Sequence, residues 1–193
     1  MLSANHIAFK EWSVICAALG EGRQNLIARK GGIHEGRDGF RVAHGEFWLF
    51  PTWLHESAEN LTDEAHPLLE RVLADRPAPG TLSISQYAVV TDVFEVHQEE
   101  LLTKLAGLHC WSHRTLTERF HYRQPGLFVL TVRMYRLAKP FVIPDSPHFA
   151  GCRSWVELPE ELCTADLQPV LNDEEFARQR TAIQKALSAT SVL

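Results

Sequence analysis

The sequence predicts an α+β fold in which helices flank a curved, mixed β-sheet of about five to seven strands. Residues 40–52 alternate as a strand does, and their second half is apolar on both faces, which is typical of a central strand. Residues 81–96 and 127–137 are rich in β-branched and aromatic side chains. Residues 66–73 instead carry a helical apolar stripe.

The composition is that of an ordinary globular protein. With 193 residues, of which 45% are hydrophobic and 22% charged, the chain is long enough for one sizeable core, and we expect a single domain over residues 1–193. A formal net charge of -5 argues against a protein that binds nucleic acid through its overall charge, because phosphate binding needs a basic surface. A local basic patch is still compatible with this net charge.

Cysteine spacing and the amino-terminal residues indicate the cellular compartment. The four cysteines form no C-x-x-C pair, so we expect buried free thiols in place of a zinc knuckle or a redox motif. No apolar run is long enough to span a bilayer, and residues 1–12 include Lys10 and Glu11 where a signal peptide needs an apolar core. We therefore expect a cytoplasmic protein without a membrane partner.

The first elements are predicted to be a hairpin and a loop. Residues 11–19 and 24–28 are apolar runs separated by a glycine turn, which predicts two strands. Residues 29–39 follow as a glycine-rich loop with three cations and a histidine. Its glycines would allow the backbone to approach an anion closely, although the spacing matches neither the P-loop nor the Rossmann pattern. A solvated connection is the alternative.

The middle of the chain alternates helices and strands. The predicted helix 66–73 must end before Pro77. Residues 81–96 then predict a strand. Residues 99–105 predict a short helix that Gly107 can end.

Residues 109–123 are the most basic and aromatic window in the chain. If the window is helical, Leu116 and Phe120 face the core while Arg119 and Arg123 share an exposed side. This window could stack on a nucleic-acid strand, and an ordinary helix with solvated cations is the alternative.

A histidine pair lies in the same window. His109 and His113 are four residues apart, which on a helix would place both imidazoles on one face, as in a metal site. No third ligand of fixed spacing accompanies them, so the pattern alone is a weak signal for a metal.

The last third predicts a strand, a loop, a strand and a helix. Residues 127–137 alternate as a strand, and the three prolines within 139–151 predict a long loop. Residues 151–158 predict the final strand. Asn172 and Glu175 have the spacing of a capping box that begins a closing helix.

Five motifs together resemble a known family. They are EWSV at 11–14, RKGGI at 29–33, EFWLFPT at 46–52, YRL at 135–137 and GCRSWVEL at 151–158. The combination resembles a bacterial family known only as a domain of unknown function, over most of the chain. The resemblance implies no activity. It does imply a context, DNA-related defence, because members of that family are sometimes found beside a restriction-endonuclease domain.

The order of elements is also similar to that of the Nudix hydrolases. The magnesium-binding motif of that family is not present, since Pro51 is followed by Thr52 and Trp53 where the family has two glycines. Pro67 also interrupts any single helix that would align the nearby carboxylates. This resemblance therefore implies the layout of the fold and not the activity.

The candidate site residues are polar side chains within predicted strands. His44 and Glu46 lie two apart on one face, where they could form an acid-base or anion-binding cluster with a nearby arginine. Arg133 and Arg153 have the planar fork that matches phosphate or carboxylate. A structural pairing of these arginines with Glu46 or Glu157 is the alternative.

The leading hypothesis is a binding or accessory module for a phosphorylated ligand, a nucleotide or nucleic acid. The ligand would lie in a cleft lined by six residues: Arg29, Lys30, His44, Glu46, Arg133 and Arg153. Two alternatives stay open. One is a metal-dependent hydrolase of phosphodiesters or pyrophosphates that uses His44, Glu46 and Glu157 as ligands or base. The other is a protein-protein interaction module.

Overall fold

The computed structural model describes residues 1–30, 42–54, 56–151 and 153–188. Its strands are interspersed with helices, and these elements confirm the predicted α+β class. In chain order they are β1 (Ala4–Trp12), α1 (Ser13–Gly20), β2 (Leu26–Arg29), β3 (Glu46–Thr52), α2 (His66–Ala74), β4 (Thr81–Val96), α3 (Glu100–Lys104), α4 (His113–His121), β5 (Leu127–Pro144), β6 (Trp155–Cys163), β7 (Gln168–Pro169) and α5 (Asp173–Ser188).

The strands form one mixed, curved sheet in the described part of the chain. Its order is β2-β5-β4-β3-β1-β6, and β7 pairs with β5 beyond the end of β2. Strands β1 and β3 are parallel, while the other pairs are antiparallel. The long β4–β5 ladder shifts register twice, between Ile84 and Gln86 and between Val90 and Asp92. Such bulges increase the local twist and bend the strand.

The sheet has a core on each face, as the sequence of β3 predicts. Phe47 and Leu49 pack into the larger cluster, with α1 and α4, whereas Trp48 and Phe50 pack into the smaller one on the other face. The consecutive apolar residues 47–50 are therefore all buried, although they face opposite sides of the sheet. Strand β3 is a central strand, as predicted.

The predicted amino-terminal hairpin is wrong, because residues 13–20 form helix α1. The Glu56 carboxylate accepts hydrogen bonds from the Ser13 hydroxyl at 2.7 Å and from the Val14 N–H at 2.6 Å. It thereby satisfies donors at the start of the helix that have no partner within it. A short apolar run fits a buried helix as well as a strand, and this cap lies far along the chain.

Two later boundaries also differ from prediction. Strand β5 continues to Pro144 through much of the predicted proline loop, because it pairs with β4 as far as Thr81. Strand β6 begins only at Trp155 and extends to Cys163, at an edge of the sheet where Pro159 is tolerated.

Other local predictions are confirmed. Helix α2 carries Pro67 in its first turn, and β4 has the predicted bounds. The capping box of α5 is formed, with the Glu175 N–H donating to Asn172 Oδ1 at 2.9 Å. The glycine-rich loop from residue 31 onwards, the first part of the predicted strand 40–52 and Cys152 lie outside the described residues.

The described segments contain no helix that is both long enough and apolar enough to cross a membrane.

Helix α5 is fastened to the sheet by a bidentate ion pair. Arg180 donates to both carboxylate oxygens of Asp92, at 2.7 and 2.8 Å, and Gln184 donates to the same carboxylate at 3.0 Å. These bonds from Arg180 hold the pKa of Asp92 low, at about 2.

Replacing Asp92 with asparagine is expected to lower the free energy of unfolding by about 1–2 kcal/mol, because two charge-assisted hydrogen bonds are lost. Urea denaturation at pH 7 measures the change. The folded pKa lies below the ordinary value, so the stabilisation is full above about pH 4 and lost as the pH falls toward 2. A difference between variant and parent that persists at pH 2 would contradict the assignment.

Candidate anion-binding site

A cavity of about 360 Å³ lies where β1 and β2 end against α4. Its volume is in the range of small-molecule sites. The wall combines cations, aromatic rings and hydrogen-bonding groups. The described residues that line it are Trp12, Ala28, Arg29, Lys30, Asn60, Thr115, Glu118, Arg119 and Tyr122.

Arg119 is held between two indole rings. Its guanidinium carbon lies 4.6 Å from the centre of the Trp12 ring and 5.0 Å from that of Trp111. Its one hydrogen bond to the described residues runs from Nη1 to the Ala28 carbonyl at 3.2 Å. Because a guanidinium carries five N–H donors, most of its donors are left for a ligand in the cavity.

The charge of Arg119 is affected by its surroundings. Burial, with a smaller contribution from nearby Arg29, lowers the pKa of Arg119 to about 10, and the Glu11 carboxylate opposes both effects. The guanidinium therefore still carries its charge at neutral pH.

Glu11 is a buried carboxylate behind the cavity wall. One oxygen accepts a hydrogen bond from the Trp12 N–H at 2.8 Å. The other lies 4.0 Å from Arg29 Nη1 and has no hydrogen bond within the described residues. Glu11 thus balances part of the charge of Arg29 and Arg119 from the protein side, which leaves their outer donors for the cavity.

Lys30 has a structural role in this arrangement. Its ammonium donates to the carbonyl oxygens of Phe120 at 3.2 Å, of Gly126 at 2.7 Å and of Gln124. All three ammonium donors are thereby used. Lys30 ties the end of β2 to the turn after α4, the turn that carries Tyr122 on the cavity wall, and burial lowers the pKa of Lys30.

Arg29 is fixed at one edge and free to donate at another. Its Nε donates to Ser154 Oγ at 2.9 Å, and its guanidinium lies over the Phe9 ring at 5.2 Å. On the α4 side, the wall is polar: Thr115 donates to the Asn60 carbonyl at 2.9 Å, and Glu118 is exposed. The cavity therefore has a cationic side and a side that carries one carboxylate.

The other predicted site residues have contacts elsewhere. Glu46 accepts hydrogen bonds from the Tyr87 hydroxyl at 3.0 Å and from the Leu2 N–H at 2.9 Å. His44 precedes β3 and packs edge-on against Trp155 at 5.0 Å, on the opposite face of the sheet from Tyr87. Burial lowers the pKa of His44, with Glu157 opposing and His6 adding to the effect.

The two remaining predicted arginines are bound to other parts of the chain. Arg133 pairs with Asp173 at 2.5 Å at the start of α5 and lies over Phe176 at 5.0 Å. Arg153 donates to the His148 carbonyl at 2.7 Å. The structure thus brings Arg29 and Lys30 of the six predicted residues into this cavity and places the other four outside its wall.

The structure also changes the interpretation of the window 109–123. Leu116 and Phe120 are buried, as predicted, but Arg119 is enclosed by tryptophans instead of sharing an exposed side with Arg123. Helix α4 begins only at His113, so His109 and His113 do not share a helical face. Over the described ranges, no group of three or more His, Cys, Asp or Glu side chains is placed to hold a metal ion.

The comparisons with known proteins concern family and fold. The model of a family described as domain of unknown function (DUF1802) matches residues 8–182. The crystal structure of ASCH from Zymomonas mobilis is 12% identical over 91% of this chain and 93% of its own, with a TM-score of 0.41. A mutant of that protein gives 11% identity over 91% of this chain and 96% of its own, with a TM-score of 0.45. No curated protein matches the sequence.

Proposed function

We propose that this chain, which belongs to the family described as domain of unknown function DUF1802, is a binding module for a phosphorylated ligand, a nucleotide or nucleic acid. The family membership confirms the resemblance that its sequence motifs indicate. The Nudix-like order of elements stays a prediction.

The proposal depends on one observation, the position of Arg119. Its guanidinium is fixed between two rings yet donates a single hydrogen bond to the described residues. A planar, preorganised guanidinium pairs with a phosphate through two parallel hydrogen bonds and loses little entropy in doing so. Arg29 adds a second guanidinium on the same wall.

The aromatic residues of the wall favour a nucleotide over a bare anion. Tyr122 lines the cavity and is exposed, with the Arg123 guanidinium 5.2 Å from its ring centre. A base that stacks on such a ring gains about 1–3 kcal/mol without sequence preference. The Glu118 carboxylate, at the other side of the wall, can accept a hydrogen bond from a sugar hydroxyl or a base amino group.

Of the alternatives, the hydrolase has less support. Within the described ranges, His44 and Glu46 contact different faces of the sheet, and no metal-ligand cluster is formed with Glu157.

A role in DNA-related defence would require that the ligand be DNA. Arg133 and Arg153 would act as structural residues under the proposal made here, because both already have partners in the chain.

The test is a titration of the purified protein and two variants with inorganic phosphate, adenosine monophosphate, adenosine triphosphate and short single-stranded DNA and RNA. Arg29→Gln is expected to weaken binding at least about tenfold, because one charged donor is lost. Arg178→Gln, on the exposed face of α5, is the matched control and should bind as the parent does.

Thermal shift gives a second readout, since a ligand that binds only the folded state raises the melting temperature. Stabilisation by DNA alone would support the defence role, and stabilisation by mononucleotides would favour a small-molecule site. A flat response to every anion would overturn the proposal and favour the protein-protein interaction module.

A further inference from the structure

A second cavity, of about 500 Å³, lies at the carboxyl end of β3 and shares no described lining residue with the first. It is enclosed by the end of β3, Arg76 beyond α2, the start of β4 and residues 145–151. Its lining residues include Phe50, Trp53, Arg76, Leu82, Asp145 and Phe149.

Much of the wall is apolar and fixed in place. Phe50, Leu82 and Phe149 are buried, and the rings of Phe50 and Phe149 meet edge to face at 5.1 Å. The ammonium of Lys10 donates to the carbonyls of Phe149 and Gly151, the latter at 3.1 Å. That side of the cavity is therefore anchored to β1, and the Lys10 charge is engaged by backbone oxygens.

One cationic donor group on the wall, the Arg76 guanidinium, has no acceptor in the described part of the chain. The Arg76 guanidinium lies over the Trp53 ring at 4.9 Å and forms no ion pair with any described carboxylate. The Trp53 indole N–H is buried, out of reach of a ligand oxygen in the cavity, and makes no hydrogen bond to the described residues.

The Glu56 carboxylate, a negative charge that interacts with Arg76, already has hydrogen-bond partners. Arg76 lowers the pKa of Glu56, although burial, the larger effect, raises it. The Glu56 carboxylate accepts hydrogen bonds from Ser13 and Val14 at the start of α1. It therefore does not take the place of an anion in the cavity.

We propose that this cavity binds a small monocarboxylate with an apolar body, such as an aromatic or medium-chain aliphatic acid. The carboxylate pairs with Arg76, whose guanidinium lies over the Trp53 ring, while the apolar body packs against Phe50, Leu82 and Phe149. A dianion fits less well, because Asp145 lies on the same wall and repels additional negative charge.

The experiment is isothermal titration of the intact chain with benzoate, hexanoate and benzamide. Benzoate and hexanoate are expected to bind at least about tenfold more tightly than benzamide, since charge-assisted hydrogen bonds to the Arg76 guanidinium are worth about 1.4 kcal/mol or more. Ligand binding beside Trp53 should also change the tryptophan fluorescence.

Arg76→Gln tests the anchor, and Arg178→Gln is the matched control on the exposed face of α5. Arg76 is exposed, so its replacement should leave the melting temperature unchanged while weakening benzoate at least about tenfold. Equal binding of benzoate and benzamide, an unchanged affinity in Arg76→Gln, or no binding of either acid at millimolar concentration would each overturn the proposal. None of these results bears on phosphate binding beside Arg119, which has its own variants and ligands.

Discussion

Replacing Arg119 with methionine is expected to lower the free energy of unfolding by about 2–3 kcal/mol, because Arg119 offsets part of the charge of the buried Glu11 carboxylate. Glu11 is completely buried and forms an ion pair with Arg29 at 4.0 Å, so the carboxylate keeps one cationic neighbour in the variant. The rings of Trp12 and Trp111 also lose the cation between them. Urea denaturation followed by tryptophan fluorescence measures the change.

Two further variants show whether charge is the cause. In a second variant, Glu11→Gln added to Arg119→Met should recover part of the loss, because the carboxylate whose charge Arg119 helps to offset is then absent. Arg114→Met lies on the same helix but is exposed, so it should change stability by less than about 0.5 kcal/mol. Equal losses in the single and double variants would show that packing, and not the carboxylate, dominates.

Acidification from pH 7 to about 4 is expected to destabilise the fold by roughly 3 kcal/mol through His109 alone. Burial lowers the pKa of His109 to about 4, with contributions in the same direction from Arg119 and His113 and an opposing one from a hydrogen bond with the Trp111 backbone. The unfolded chain takes up this proton near pH 6.5, whereas the folded chain resists it down to about pH 4. The contribution is therefore full above pH 6.5 and lost as the pH falls toward 4.

The measurement is the free energy of unfolding between pH 7 and 4 for the parent and for His109→Gln. The variant should lose this part of the slope, because it has no proton to take up at that position. His113→Gln, at the exposed start of α4, should keep it. If parent and His109→Gln have the same slope over this range, His109 is not the group responsible.

Local patterns in the sequence were enough to predict several elements. The double-sided apolar run of β3, the proline at the start of α2 and the capping box of α5 each need only a few neighbouring residues to take effect. The helix α1 was not predictable in this way. The carboxylate that caps it belongs to Glu56, and no local pattern places that residue beside Ser13.

The candidate site shows the same limit. Arg29 and Lys30 could be selected because they begin a glycine-rich loop whose backbone could approach an anion closely. Arg119 could not be selected, because its environment is made by Trp12 and Trp111. Trp12 belongs to β1, far from Arg119 in sequence, so no local pattern brings the two together. His44 and Glu46 were expected to meet because their spacing was read as one strand, but β3 begins only at Glu46.

The position of β1 in the sheet has a consequence for how the chain folds. Strand β1 lies between β3 and β6, and its pairing with β6 joins Ala4 to Cys163. During synthesis, one edge of β1 therefore stays without its partner until β6, at residues 155–163, has emerged. Contacts between residues so distant in sequence slow the search for the native state, and an unpaired strand edge is open to association with other chains in the meantime.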